Sequence, residues 1–167
     1  MKITYTDAKE FVLTSDEDIF LGSLKMEKWS STKAQITTQY GDFYDIEKKG
    51  FWGTSIVVLK SSEEFAELKI NWKGQVVIDM LANGKGMDYM LKSTSIWKSQ
   101  FTLFSREETE LLIFTIDYRW KKGHYNLKID VNPNFANEID ETLVLVATYS
   151  VLYLLMVQNA AMVAAVA

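Results

Sequence analysis

Thr142-Leu-Val-Leu-Val-Ala-Thr-Tyr-Ser-Val-Leu-Tyr-Leu-Leu-Met-Val-Gln-Asn-Ala-Ala-Met-Val-Ala-Ala-Val-Ala167 carries no charged residue. Upstream, Asn132-Pro133-Asn134 breaks any strand, and Asn137-Glu-Ile-Asp-Glu141 supplies capping and acidic residues for a helix N-terminus. A helix of about 25 residues, about 38 Å long, is predicted from there, with its central part at about 140–160. Two placements compete. A charge-free stretch of this length meets the criterion for a bilayer span, which would make the chain a tail-anchored membrane protein. Against that, no Lys or Arg flanks it on the upstream side, Tyr149 and Tyr153 fall deep inside it, and Gln158-Asn159 would sit in hydrocarbon. A helix that is apolar all round is equally explained by enclosure on every side. The enclosed helix is the better account of these residues. The Ala-rich end, Ala160 to Ala167, exceeds what a central helix needs.

What precedes the helix has the opposite character. Period-two alternation recurs in segment after segment, most clearly where Ala66, Leu68, Ile70 and Trp72 are separated by Glu67, Lys69 and Asn71. Tyr44 and Ile46 alternate with Phe43, Asp45 and Glu47, and Ile56-Val57-Val58 is a β-branched run. Gly41-Asp42, Lys49-Gly50, Lys73-Gly74, Asn83-Gly84-Lys85-Gly86 and Lys122-Gly123 punctuate these segments where hairpins need positive φ. About eleven or twelve strands between residues 11 and 131 follow, with turns at the spacing of a sandwich or barrel. The five Trp, at 29, 52, 72, 97 and 120, read as large aromatics falling once per hairpin rather than as a sequence repeat. A barrel of about twelve strands is wider than its own side chains fill, so something must occupy its lumen. The expected fold is a mainly β, closed antiparallel barrel enclosing the hydrophobic C-terminal helix, one domain over 1–167.

Composition narrows the function classes. The chain has 167 residues, net charge −4, no Cys and one His. Acidic residues outnumber basic ones and only Arg106 and Arg119 are arginines, so a dedicated nucleic-acid binder is not expected. No cofactor or metal site is expected either. His124 stands alone in a predicted turn, and no Gly-x-Ser-x-Gly elbow occurs. Asn83-Gly-Lys-Gly-Met87 reads as a hairpin, lacking the spacing of a phosphate loop. Asp16-Glu17-Asp18 lacks the Gly and distal Glu of a calcium loop and reads as a solvated run. A non-enzymatic chain is therefore expected. The first residues, Met1-Lys-Ile-Thr-Tyr-Thr-Asp7, show no apolar signal region, so a cytoplasmic protein is expected, one able to associate with membranes.

Strand-rich chain followed by one apolar helix, in that order, resembles the Tubby C-terminal-like superfamily of Tubby proteins, phospholipid scramblases and LURP-one-related proteins. The local patterns Tyr44-Asp-Ile-Glu-Lys-Lys-Gly-Phe-Trp52, Glu67-Leu-Lys-Ile-Asn-Trp-Lys-Gly74 and Ile96-Trp-Lys-Ser-Gln-Phe-Thr-Leu-Phe104 are similar to small bacterial members. The resemblance covers about residues 20–158. It implies a closed barrel of about twelve strands threaded by a central helix. It also implies phosphoinositide binding through basic residues, as in Tubby domains. The acidic residues Glu138, Asp140 and Glu141 match the scramblase calcium segment too poorly to carry ligands over. Lys48, Lys49, Arg119, Lys121 and Lys122 flank turns and aromatics (Phe51, Trp52, Tyr118, Trp120) and suit an anionic phospholipid surface. Edge-protecting lysines are the competing account of the same residues. The expected function is a binding or scaffold module contacting anionic headgroups. Tail anchoring, or an apolar-ligand carrier with the helix outside, are the alternatives.

Overall fold

A computed structural model describes the chain except residues 7–8, 29–30, 50–54, 82–85, 96–98, 120–123, 138 and 167; the side chains of 87, 118–119, 124–125 and 159–166 are likewise outside the description. Twelve strands follow in order: β1 (Lys2–Tyr5), β2 (Glu10–Thr14), β3 (Phe20–Met26), β4 (Ala34–Thr38), β5 (Phe43–Lys49) and β6 (Ser55–Lys60), then β7 (Glu63–Ile70), β8 (Val76–Met80), β9 (Met87–Ser95), β10 (Gln100–Phe104), β11 (Glu110–Arg119) and β12 (His124–Val131). Each pairs antiparallel with its chain neighbours, and β1 closes the ring against β12 through Lys2↔Lys128 and Ile3↔Leu127. A 3-10 turn at Pro133–Phe135 leads to α1 (Glu141–Val166).

Period-two alternation decides which residues face inward. The cross-strand row Ala34, Ile46, Val58, Ala66 and Met80 is buried throughout, whereas the parallel row Gln35 and Asp45 is exposed. Three expectations need correction. The alternation from Ala66 stops short of Trp72: Ala66 and Leu68 lie in the core, but β7 ends at Ile70, and Trp72 in the next turn is 90% exposed. His124 is the first residue of β12 instead of a turn residue. The strand series also starts earlier than residue 11, because β1 closes the barrel.

The lumen is filled by α1. Thr142 to Leu152 and Leu154 are buried, and they join the inward faces of the strands in one core. Asp140 caps the helix by accepting a hydrogen bond from the Leu143 N–H at 2.7 Å. Two of its buried hydroxyls are satisfied within the helix: Thr148 donates to the Val144 carbonyl at 2.8 Å and Ser150 to that of Val146 at 2.9 Å. The stretch Glu141–Gln158 is long and apolar enough to cross a membrane, but 67% of it is buried inside the barrel. Enclosure explains its composition without a bilayer.

Candidate functional site

Because every connection joins antiparallel neighbours, the connections alternate between the two barrel ends. The β2–β3, β4–β5, β6–β7, β8–β9 and β10–β11 connections share the proximal end with residues 132–140, where α1 enters. The β1–β2, β3–β4, β5–β6, β7–β8, β9–β10 and β11–β12 connections make the distal end. The Tyr149 hydroxyl reaches that far, donating to the Thr32 carbonyl in the β3–β4 connection at 2.8 Å. Burial, and secondarily the stacked Tyr153 ring, pushes the Tyr149 phenol far above its usual range, so it stays a donor.

The two ends differ in charge. Among the described residues, the proximal connections hold Asp16, Glu17, Asp18, Asp42, Glu107, Glu108 and Asp140 against Arg106. The distal connections hold Lys9, Lys28, Lys33 and Lys73 against Glu27. This segregation escapes a reading along the chain, because acidic and basic turns alternate in sequence and are sorted only when the ring closes. Of the five Trp, Trp72 lies in the distal β7–β8 connection; Trp29, Trp52, Trp97 and Trp120 lie outside the described residues.

The described backbone places three of the five basic residues singled out from the sequence. Lys48 and Lys49 end β5, while Arg119 ends β11, six strands away on the opposite side of a twelve-strand ring. The Arg119 side chain, Lys121 and Lys122 lie outside the described residues. Lys49 is not a free cation. Its Nζ lies 2.8 Å from Glu64 Oε2 and 3.9 Å from Glu67 Oε1, and the Glu64 hydrogen bond raises its pKa. Glu67 is held below the usual carboxylate range, chiefly by its hydrogen bond from Lys69 at 3.0 Å. Lys48 is exposed and makes no ion pair among the described residues.

The sequence reading missed a groove beside the distal end. It measures about 700 Å³ and crosses the outer wall at β3, β4 and β5. Lys9, Lys25 and Lys33 line it, facing Glu27, Asp45 and Glu47. The acids are partly engaged: Glu27 accepts from the Ser31 hydroxyl at 3.1 Å, and Asp45 from Gln35 Nε2 at 2.9 Å. The three lysines are exposed and make no ion pair among the described residues. Register is the signal that finds it, since Lys25, Gln35 and Asp45 are direct cross-strand partners. A second cavity, of about 500 Å³, opens at the proximal end between Arg106, Asp88 and the residues around Phe135.

No family model matches the chain. No curated protein matches it either. Among solved structures, the X-ray structure of a protein from Arabidopsis thaliana is similar over 89% of this chain and 88% of that one, with TM-score 0.53 and 13% sequence identity. That likeness shows the fold alone.

Proposed function

We propose that the chain is a non-enzymatic module of the Tubby-like kind that binds anionic phospholipid headgroups at the distal end of its barrel. One observation carries this reading: Lys28, Lys33, Lys48 and Lys73 at that end make no ion pair among the described residues, while the acidic turns are gathered at the other end. A net charge of −4 hides a dipolar molecule whose lysine-bearing end turns toward a negative surface. Each basic residue near such a surface is worth about 1 kcal/mol, so Lys28, Lys33, Lys48 and Lys73 together suffice for reversible binding. The lumen that a carrier would load is taken by α1, and a tail anchor would have to withdraw the buried face of that helix from its core. Both alternatives therefore cost more than surface binding.

Sedimentation with lipid vesicles tests the proposal. The full chain is expected to pellet with phosphatidylserine-containing vesicles and to release as ionic strength rises. It should stay in solution with phosphatidylcholine alone. Reversing two exposed lysines together, Lys33→Glu and Lys48→Glu, should weaken binding by about tenfold or more. Equal partitioning to neutral and anionic vesicles, or binding indifferent to both reversals, would refute it.

A further inference from the structure

α1 is longer than the barrel that holds it. Among its described side chains Leu154 is the last buried one; Val157 is 42% exposed and Gln158 is exposed, yet the helix continues to Val166. At 1.5 Å per residue, the backbone travels about 14 Å beyond Val157. The sequence along this extension, Val157-Gln-Asn-Ala-Ala-Met-Val-Ala-Ala-Val166, contains no charge. It leaves the barrel at the distal end, where Ile70 is 36% and Trp72 90% exposed, with Lys73 Nζ 5.1 Å from the Trp72 ring centroid. An apolar helix leaving the same barrel end that carries an exposed Trp and unpaired lysines has the chemistry of a membrane interface, where Trp rings and basic side chains sit at headgroup level.

We propose that residues 157–166 seat the barrel end-on against an anionic phospholipid bilayer. The helix extension enters the boundary between headgroups and acyl chains while Lys28, Lys33, Lys48 and Lys73 lie among the headgroups. This rests on the lipid reading above and adds the orientation and the inserting element. Charge complementarity selects a bilayer over a second copy of the chain, because pairing two extensions tip to tip would bring two lysine-bearing ends together. An apolar helix segment at this boundary lies about 5–10 Å deep.

The absence of cysteine makes single-site labelling straightforward. Two full-length variants, Ala164→Cys and Glu17→Cys, would each carry an environment-sensitive fluorophore and be mixed with phosphatidylserine vesicles holding spin-labelled lipids. The label at 164 should be quenched by spin labels near the headgroup–acyl boundary, and the label at 17, in the proximal β2–β3 connection, should not. In the unlabelled chain, Met162→Glu with Val163→Glu should weaken vesicle binding by about tenfold while leaving the thermal transition in place. Pelleting with no quenching at 164 would overturn the end-on seat and leave the headgroup reading standing. Failure of the full chain to pellet at all would remove both. Fluorescence at 164 that responds to protein concentration and not to vesicles would overturn the seat in favour of self-association.

Discussion

Gly22 shows how little room the packing of helix inside barrel leaves. It sits on the inward face of β3, where an added Cβ would fall 2.7 Å from the Thr37 carbonyl oxygen and 2.8 Å from Leu145 Cδ1. One contact is with the neighbouring strand and one with α1, so this position is where the wall meets its filling. A backbone oxygen cannot step aside without breaking the β3–β4 ladder, whereas a leucine methyl can be removed. Gly22→Ala is therefore expected to cost about 1–3 kcal/mol, measured as a lowered urea midpoint. Leu145→Ala alone opens a cavity and should cost about 2–5 kcal/mol. Combined, the two should cost less than their sum, because the smaller side chain relieves one of the two overlaps. Strict additivity would mean that Leu145 is not the atom Gly22 makes room for. The sequence marks Gly22 only as a glycine within an alternating run; its reason for being there lies on an element more than a hundred residues away.

At the scale of elements, local patterns were legible and connections were less so. Strand alternation and the charge-free helix are properties of short windows, so β2 to β12 and α1 could be placed from the chain. β1 was not, since Lys2-Ile-Thr-Tyr5 has one core side chain, Ile3, and earns its strand from β12 on one side and β2 on the other. Of the glycines that marked turns, Gly41 and Gly74 take positive φ and Gly86 does not; Gly50, Gly84 and Gly123 lie outside the described residues. The β2–β3 and β10–β11 turns use another device. In each a serine hydroxyl, Ser15 or Ser105, accepts two backbone N–H groups, and Asp18 or Glu108 takes the positive φ. The helix start was legible because capping chemistry is local, and it yields a direct prediction. Asp140→Ala removes the oxygen that accepts the Leu143 N–H and should lower stability by about 0.5–2 kcal/mol, whereas Asp140→Asn should retain most of it. Equal losses in the two variants, read from thermal melts at neutral pH, would mean that charge at the helix N-terminus outweighs the cap hydrogen bond.

The whole molecule joins two asymmetries that come from one fact of topology. An even number of strands in an up-and-down ring sends every second connection to the same end. The acidic turns and the lysine turns therefore part company, and the helix must enter at one end and leave at the other. That sorting was invisible in a linear reading, which found Lys48, Lys49 and Arg119 beside turns without showing that β5 and β11, six strands apart, finish at the same end of the ring. The same topology makes α1 part of the fold and not an appendage. Eight large side chains of its enclosed stretch, from Leu143 to Leu154, are buried, and at roughly 1.5–3 kcal/mol each their burial is comparable to or larger than the ~5–15 kcal/mol net stability of a domain. A chain cut after Glu141 is thus expected to lose its cooperative transition and to bind a hydrophobic dye, while the full chain unfolds cooperatively in detergent-free buffer. The opposite pair of results, a cooperative truncated barrel and a full chain that needs detergent, would make α1 an anchor. The strands would then have to close around an empty lumen, which a twelve-strand ring of this width cannot fill with its own side chains.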